Sequence, residues 1–339
     1  MKFKKFLLIV LILSISINVG GCKGKDAFKK LFSKKDDNVE IIRSDEEKLD
    51  ITEEDGLRNT VMYFKNSEGF LVPVMRKLPW EEGIAKIALK NMIDTPTLRE
   101  DLNSTGLEPI IPAGTEIRGM TIDEDTGVCK VDFNNEFLNY ESEKDESNLI
   151  KSVVYTLTEF PTIREVQILV EGEAVSTMKY GTQVEDSLRR EDINLVKNLE
   201  GARSKVLVYF KGEDNEEYEY FVPVTVPTLA PMPNVFTALE ELFQGPPENT
   251  GLSSNVYEVA ELQGVEVKDG TAYVDLSFDS LKEENKKDVL EEVSKSVGLT
   301  LSQFDEIGKV ELLIDGKTLE EAGMDFEYDE SIPTFANEY

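Results

Sequence analysis

Two periodicities of apolar residues alternate along most of the chain, and they follow the same order in its first and second halves. Short apolar runs at Val61–Phe64 and Phe70–Val74 flank the turn-forming residues 66–69, which predicts a β-hairpin. A helical pattern follows, and then two alternating runs meet at Asp125–Gly127 as a second hairpin. Another helical pattern and the run Val166–Val170 complete the unit. The predicted order β-β-α-β-β-α-β is an α+β unit with helices packed on one face of a small sheet.

Each helical pattern defines one apolar face, and we expect that face to be buried. The predicted faces are Ala85, Ala88, Leu89, Met92 and Ile93, then Leu149, Ile150, Val153, Val154 and Leu157, with Val235, Ala238, Leu239, Leu242 and Phe243, and Val293, Val297 and Leu301, in the second half. Pro96 and the pair Pro246–Pro247 are predicted to stop the first helix of each unit.

Six segments recur in unchanged order about 145 residues apart, so the unit is written twice. They are Val61–Lys65 and Leu207–Lys211, Leu71–Val74 and Phe221–Val224, Ser104–Leu107 and Asn249–Leu252, Val131–Phe133 and Val274–Leu276, Thr156–Phe160 and Thr300–Phe304, and Val166–Val170 and Val310–Ile314. We therefore predict tandem domains at residues 59–190 and 204–339, joined by a linker at residues 191–203.

The first 22 residues have the pattern of a bacterial export signal. Lysines near the start precede the apolar run Phe6–Val19, which is too short to span a bilayer. The residues ending at Cys22 resemble a lipobox, which predicts that the Cys22 thiol carries the lipid anchor and residues 1–22 form a lipoprotein signal peptide with its lipobox cysteine. An uncleaved signal anchor and an unmodified cysteine are the alternatives.

Residues 23–58 are predicted to be a charged tether. Residues 23–35 carry six lysines against Asp26, which suits either an anionic membrane surface or an ordinary solvated linker. The charge becomes acidic from Asp36 to Arg58, where large apolar residues are few. We expect this stretch to act as a flexible spacer.

Composition excludes several classes of function. The chain has no histidine and a formal net charge of −30, so His-dependent nucleophile sites and His-ligated metals are impossible and binding to nucleic acid is disfavoured. No cofactor-binding, metal or catalytic motif is found, and only Cys129 remains beside Cys22. We expect Cys129, which aligns with Ala272 on a strand, to be a small buried core residue.

Three further features have candidate roles. Asp123–Gly127 superficially resembles a calcium loop, but Asn134 stands where the bidentate Glu is needed, so we expect a plain turn. Asp132 and Asp275 recur after a buried valine, and we expect a capping or strand-end hydrogen bond rather than acid–base chemistry. Prolines in Leu71–Val74 and Phe221–Val224 predict sheet edges whose free backbone groups bind another subunit.

The repeat resembles the GerMN domain, and the whole layout resembles the GerM-like family of sporulation and germination lipoproteins with two tandem GerMN domains. The resemblance lies in Thr105–Leu107 and Thr250–Leu252, in the hairpins ending at Phe133 and Leu276, and in Ile111–Thr115. The second copy departs from the last motif, reading Val-Tyr-Glu from Val256.

The resemblance implies domains similar to the ring-building motif and a protein that is not an enzyme. It implies a scaffold lipoprotein on the extracytoplasmic face of the cell membrane, the outer face of the mother-cell membrane in a sporulating cell. Its partners would be channel or ring proteins of the complex linking mother cell and forespore. A solute- or cell-wall-binding lipoprotein, which needs a cleft between the domains, and a carboxylate-dependent wall hydrolase are the alternatives.

Overall fold

The computed structural model describes residues 56–81, 83–196, 199–213, 218–254, 256, 260–278, 286–324 and 328–339. The predicted signal peptide, Cys22 and all but the last three residues of the predicted tether lie outside these residues. The described chain forms two similar α+β modules, which confirms the predicted fold class.

The first module contains six strands, three α-helices and a 3₁₀ turn among its described residues. Its elements are β1 (Leu57–Lys65), β2 (Leu71–Pro79), α1 (Ile84–Lys90), α2 (Pro96–Leu102), β3 (Ile117–Asp123), β4 (Val128–Phe133), a 3₁₀ turn (Asn135–Leu138), α3 (Glu143–Thr158), β5 (Glu165–Val170) and β6 (Glu173–Ala174).

The second module repeats the order of the strands and of helices α1 and α3, without a counterpart of α2 or of the 3₁₀ turn among its described residues. Its elements are β7 (Ser204–Glu213), β8 (Glu219–Thr228), α4 (Val235–Phe243), β9 (Glu261–Lys268), β10 (Thr271–Ser277), α5 (Lys286–Leu301), β11 (Lys309–Ile314) and β12 (Lys317–Thr318).

Each module combines a two-stranded hairpin with a four-stranded mixed sheet. The hairpins are β1-β2 and β7-β8, and the sheets have the orders β3-β4-β5-β6 and β9-β10-β11-β12. The two middle strands of each sheet run parallel, because the long helix α3 or α5 crosses over between them. The tight turn at Asp269–Gly270 joins β9 to β10 with both residues at positive φ, as a two-residue hairpin turn requires.

The predicted inward faces of strands and helices form the core. Cys129, Val131 and Phe133 are fully buried on β4, and so are their counterparts Ala272, Val274 and Leu276 on β10. The apolar faces of α3 and α5 are buried as well. Alternation along the strands therefore identified the packed face correctly in both modules.

Pro96 does not stop the first helix, contrary to the expectation from sequence. Helix α1 ends at Lys90, and Pro96 is the first residue of a separate helix, α2. The Thr95 hydroxyl accepts a hydrogen bond from the Leu98 N–H (3.1 Å), so Thr95 caps this helix. Proline is favoured at this first position because its missing N–H would have no partner within the helix. The short strands β6 and β12 were also not predicted.

The repeated Thr-Gly-Leu segment is a turn that docks on the first hairpin. The Thr105 hydroxyl donates to Leu102 O (2.7 Å) and accepts from the Leu107 N–H (3.1 Å). The same two bonds recur at Thr250. The next residue then exchanges two backbone hydrogen bonds with a lysine in the last, turn-side part of the hairpin's first strand, Lys65 or Lys211. The repeated Thr-Gly-Leu segment and the repeated first strand therefore contact each other in both modules.

A threonine near the end of each long helix binds the first strand of its module. The Thr156 hydroxyl accepts a hydrogen bond from the Tyr63 N–H, and the Thr300 hydroxyl accepts one from the Tyr209 N–H, both at 3.2 Å. Within the described residues, no helix is long and apolar enough to cross a bilayer.

Candidate functional site: the junction between the two modules

The proline-containing strands β2 and β8 lie side by side where the two modules meet. Leu71 is opposite Pro223 and Pro73 is opposite Phe221, so the strands run in opposite directions. Pro73 and Pro223 have no N–H to offer across this gap, and the facing carbonyl groups cannot bond to each other. The junction therefore requires donors from elsewhere.

Two asparagine side chains supply these donors. The Asn194 amide nitrogen donates to Leu71 O (2.8 Å) and to Pro223 O (2.7 Å). The Asn337 amide nitrogen donates to Pro73 O (2.7 Å) and to Phe221 O (2.8 Å). Each amide has two N–H groups, so together they satisfy four carbonyls and leave none of their own donors over. We call Asn194 and Asn337 the asparagine clamps.

The clamp oxygens complete the arrangement. Oδ1 of Asn194 accepts from the Leu71 N–H (2.8 Å), and Oδ1 of Asn337 accepts from the Phe221 N–H (2.7 Å). Asn337 is buried, whereas Asn194 is half-buried and has a positive φ of 49°, a conformation that asparagine tolerates better than most residues. The two halves of the junction are thus close copies of each other.

Backbone segments reinforce the clamps reciprocally. The Met75 N–H on β2 donates to Asn337 O (2.8 Å), and the Tyr339 N–H donates to Met75 O (3.0 Å). On the other side, the Thr225 N–H on β8 donates to Ile193 O (3.0 Å). A segment beyond the last sheet of each module therefore bonds to the proline strand of the other module.

The expectation that the proline strands offer free edges to another subunit is wrong. They do lie at edges, as the missing N–H groups predicted, but each edge is covered by the other module and by an asparagine clamp. Leu71, Val72 and Val74 are fully buried, and so are Val222 and Val224. The backbone groups at these edges are hydrogen-bonded within the chain, so these strands do not offer a docking surface.

A cleft of about 270 Å³ opens beside the Asn194 clamp. Its walls include three tyrosines, Tyr63, Tyr155 and Tyr209, together with Arg190. The Arg190 guanidinium pairs with Glu159 and lies over the Tyr155 ring, 4.8 Å from its centroid. The Tyr63 hydroxyl donates to the same Glu159 carboxylate (3.0 Å).

The charges of the cleft already have partners inside the protein. Burial alone would lower the pKa of Arg190, but Glu159 and the adjacent tyrosines raise it, so the guanidinium stays charged. Burial raises the pKa of Tyr63 well above its usual value, and Glu159 adds to this effect. Lys205 at the rim is paired with Asp192. The cleft is polar and aromatic, and its two cations are neutralised.

Cys129, the cysteine of the described residues, is buried and inert. Burial raises the pKa of its thiol to about 12, so the reactive thiolate is nearly absent at neutral pH. The expectation that it is a core residue is confirmed. Cys22, the predicted lipidation site, lies outside the described residues, and its modification stays a prediction.

The repeated aspartates are structural, as expected. Asp132 Oδ1 accepts a hydrogen bond from the Gly172 N–H, and Asp275 Oδ1 accepts one from the Gly316 N–H, both at 2.8 Å. Each aspartate fixes the tight turn that follows the parallel strand. The Asp123 carboxylate accepts from the N–H groups of Asp125 and Thr126, so Asp123–Gly127 is a turn. Among the described residues no cluster of three metal-ligating side chains exists.

The asparagine clamps were missed by the sequence reasoning. Their signal is weak, because the segments around Asn194 and Asn337 share little beyond the asparagine and its position after the last strand of each unit. The equivalent position of the two asparagines in the repeats was their only signal in the sequence. Their role becomes evident only from the four carbonyl groups of β2 and β8 that they bind.

Comparisons with known proteins agree with this architecture. The family model described as Germane, sporulation and spore germination, matches residues 61–176 and 207–320. The chain is 33% identical over 290 residues to the spore germination protein GerM of Bacillus subtilis, covering 81% of this chain and 77% of that protein. The solved tandem GerMN domains of the sporulation protein GerM from Bacillus subtilis superpose with a TM-score of 0.66 at 29% identity, covering 83% of this chain and 99% of that structure.

Both repeats of this chain fall within the matched residues, and the two-module body corresponds to a solved tandem. The resemblance expected from the sequence motifs is thereby confirmed. The chain belongs to the Germane family of sporulation and spore germination proteins.

Proposed function

We propose that this protein is a non-enzymatic assembly lipoprotein of endospore formation. It is anchored through Cys22 on the extracytoplasmic face of the membrane, the outer face of the mother-cell membrane, and helps to place or stabilise the channel complex between mother cell and forespore. The observation that carries the proposal is the tandem GerMN architecture shared with the sporulation protein GerM.

The junction supports a scaffold role on physical grounds. A scaffold has to hold two binding surfaces in a defined relation, and the asparagine clamps join the modules through six side-chain hydrogen bonds to backbone. The candidate nucleophile and the repeated carboxylates have structural roles: Cys129 is buried, and Asp132 and Asp275 hold turns in separate modules. These residues therefore give no support to a hydrolase.

The test is recovery of partners from cells by antibody, with and without sporulation. The scaffold predicts that channel subunits are recovered from sporulating cells and not from growing cells. The Asn194→Ala/Asn337→Ala variant uncouples the modules and should reduce recovery severalfold, whereas an exposed Asn139→Ala variant should not. Recovery of a transport permease equally in growing and sporulating cells would contradict the proposal.

The anchor has its own test. Cys22→Ser should shift the protein from the membrane fraction to the soluble fraction, because several acyl chains contribute most of the binding. A Cys129→Ser variant is the matched control and should remain in the membrane. Continued retention of Cys22→Ser in the membrane would rule out lipid anchoring at this residue.

The cleft beside Asn194 favours a second candidate, a solute- or wall-binding lipoprotein. Three tyrosines and an arginine suit a polar ligand with a planar or ring-shaped part, but about 270 Å³ is near the lower limit for ligand pockets. Calorimetric titration with wall fragments and small polar solutes tests this candidate. Tight binding that is lost in Tyr209→Ala would favour it over the scaffold.

A further inference from the structure

An uncharged loop projects from the second module between β8 and α4. Residues 228–236 read Thr-Leu-Ala-Pro-Met-Pro-Asn-Val-Phe and lie within an uncharged stretch from 220 to 239, in a chain with 31% charged residues. Leu229 is 61% exposed, Met232 66% and Phe236 48%. We call residues 228–236 the apolar loop. Exposed apolar side chains grouped in this way are typical of an interaction surface.

Part of the backbone of the apolar loop is satisfied inside the protein. Pro231 and Pro233 have no N–H, and three of the carbonyls have partners inside the protein. Thr228 O accepts from the Arg203 N–H (2.9 Å), Ala230 O from the Ser204 hydroxyl (2.8 Å) and Met232 O from the Asn234 amide (3.3 Å). The remaining backbone groups can keep their water in the hydrated headgroup region while the apolar side chains enter the acyl boundary.

The polar side chains of the loop are also engaged locally. The Thr228 hydroxyl bonds to the Ser204 hydroxyl (2.9 Å), and the Asn234 side chain accepts from the Thr237 N–H (2.9 Å) as the cap of α4. Polar groups across an interface set the register of a specific protein partner. Within residues 228–236 the exposed side chains are hydrocarbon and sulfur, which an apolar phase accepts in any orientation.

The equivalent loop of the first module has the opposite character. Trp80 is exposed there, but Arg58 lies over its ring at 5.2 Å, and Glu81 and Glu82 follow it in the sequence. The apolar loop is therefore a property of one module and not a by-product of the shared fold.

We propose that the apolar loop inserts Leu229, Met232 and Phe236 into the interfacial region of a lipid bilayer. Exposed Arg203, whose N–H bonds to Thr228 O, and exposed Glu240, one helical turn after Phe236, border the loop with charge, so insertion stops at the level of the headgroups. The contact is hydrophobic in origin. Because the protein carries a net charge of −30, binding should be insensitive to salt or strengthened by it on anionic membranes.

The geometry provides an internal control. Strands β2 and β8 run in opposite directions at the junction, so Pro79 and Thr228 end at opposite sides of it, on the order of 40 Å apart. Trp80, the only tryptophan of the chain, follows Pro79. Its backbone N–H donates to the carbonyl oxygen of Gly56 (2.7 Å), the first of the described residues. A fluorescence probe at Trp80 therefore reports on the far side from the apolar loop.

The test compares the two positions in the full chain reconstituted with phosphatidylcholine–phosphatidylglycerol vesicles that contain brominated lipid. A Trp80→Phe/Met232→Trp variant should show emission shifted to the blue and quenched several times more strongly than the native Trp80 of the unmodified chain. Adding Leu229→Ser and Phe236→Ser to that variant should remove at least ninety per cent of the extra quenching. Substituting exposed apolar residues elsewhere, Ile122→Ser, Leu195→Ser and Val267→Ser, should leave it unchanged.

Two results would overturn the proposal. One is a Met232→Trp probe that is quenched no more than Trp80. The other is quenching that persists after Leu229→Ser and Phe236→Ser, because the apolar side chains would then not be responsible. Far-ultraviolet circular dichroism of each variant separates loss of contact from loss of fold.

Discussion

The two modules share many of their internal hydrogen bonds and differ in the contacts that their charged side chains make. The threonine that binds the first strand, the Thr-Gly-Leu turn and the aspartate at the strand end recur with almost the same distances. The differences lie elsewhere. Where the first module has Glu159 bound to Arg190, the second has Gln303, whose amide bonds to both backbone groups of Leu207.

A second difference is a buried carboxylate that only the first module has in this position. Glu146 is fully buried on α3, and its oxygens accept from the N–H groups of Tyr180 (2.6 Å) and Thr182 (2.9 Å). These bonds hold the segment that follows the first sheet. The shared contacts thus define the fold of a module, and the unshared ones give the first module its own pH sensitivity and its connection to the junction.

The largest expected effect comes from Asn337→Asp. A carboxylate at this buried site loses both donors to Pro73 O and Phe221 O and brings a negative charge against two carbonyls. We expect the free energy of unfolding to fall by about 3–5 kcal/mol, as measured by urea denaturation.

The matched controls for this change sharpen the comparison between the two clamps. Asn194 is half-buried, so Asn194→Asp should lower the free energy of unfolding less than Asn337→Asp does. Asn139 is exposed, and Asn139→Asp should leave the free energy of unfolding within about 0.5 kcal/mol of the unmodified chain. Equal small losses at positions 337 and 139 would contradict the role of the clamp.

Glu146→Gln should destabilise the first module by about 2–3 kcal/mol, since the new amide cannot accept both backbone N–H groups. Burial tends to raise the pKa of Glu146, but the hydrogen bonds from Tyr180 and Thr182 outweigh it and hold the pKa below its usual 4.5. The stabilisation is therefore present above pH 4.5 and is lost as pH falls through the lower folded-state pKa.

Urea denaturation between pH 3 and pH 7 measures this dependence. The unmodified chain should lose stability more steeply on acidification than Glu146→Gln, and the exposed Glu240→Gln variant should follow the unmodified chain. Parallel curves for Glu146→Gln and the unmodified chain would show that this carboxylate is not responsible.

Thr156→Val and Thr300→Val should each cost about 1–2 kcal/mol, because each leaves a backbone N–H of a tyrosine without its acceptor. Equal losses of unfolding free energy, measured by calorimetry, would confirm that the threonine makes the same stabilising contact in both modules. A loss in one module only would show that the two hydrogen bonds, although equivalent in position, do not contribute equally to stability.

The smallest effect is expected for Cys129→Ala. Ala272 fills the same buried position in the second module, so the first module should tolerate alanine with a loss of about 1 kcal/mol from the lost sulfur contacts. Thermal unfolding measures it. A loss above about 3 kcal/mol would mean that the two cores are less alike than their strands indicate.

Periodicity predicted the parts of the fold that depend on burial alone. The hairpins, the inward faces around Cys129 and Ala272, and the long helices follow from which residues avoid water. Helix α2 was missed because Pro96 reads equally well as the end of one helix or the first residue of another, and only the Thr95 cap distinguishes the two.

The junction could not be predicted, since it depends on which surfaces meet. Prolines 73 and 223 correctly marked sheet edges, but their partners are carbonyl-binding asparagines far away in the sequence, at Asn194 and Asn337. A single asparagine after a strand is compatible with many turns. Its meaning emerges only when opposing carbonyls without donors are brought together.

Differential scanning calorimetry of Asn194→Ala/Asn337→Ala tests most directly the claim that two asparagine side chains make the modules one body. The unmodified chain should show one cooperative transition and the double variant two separated transitions, because four carbonyls at the junction lose their donors. A double variant that still unfolds in one transition at an unchanged temperature would contradict it.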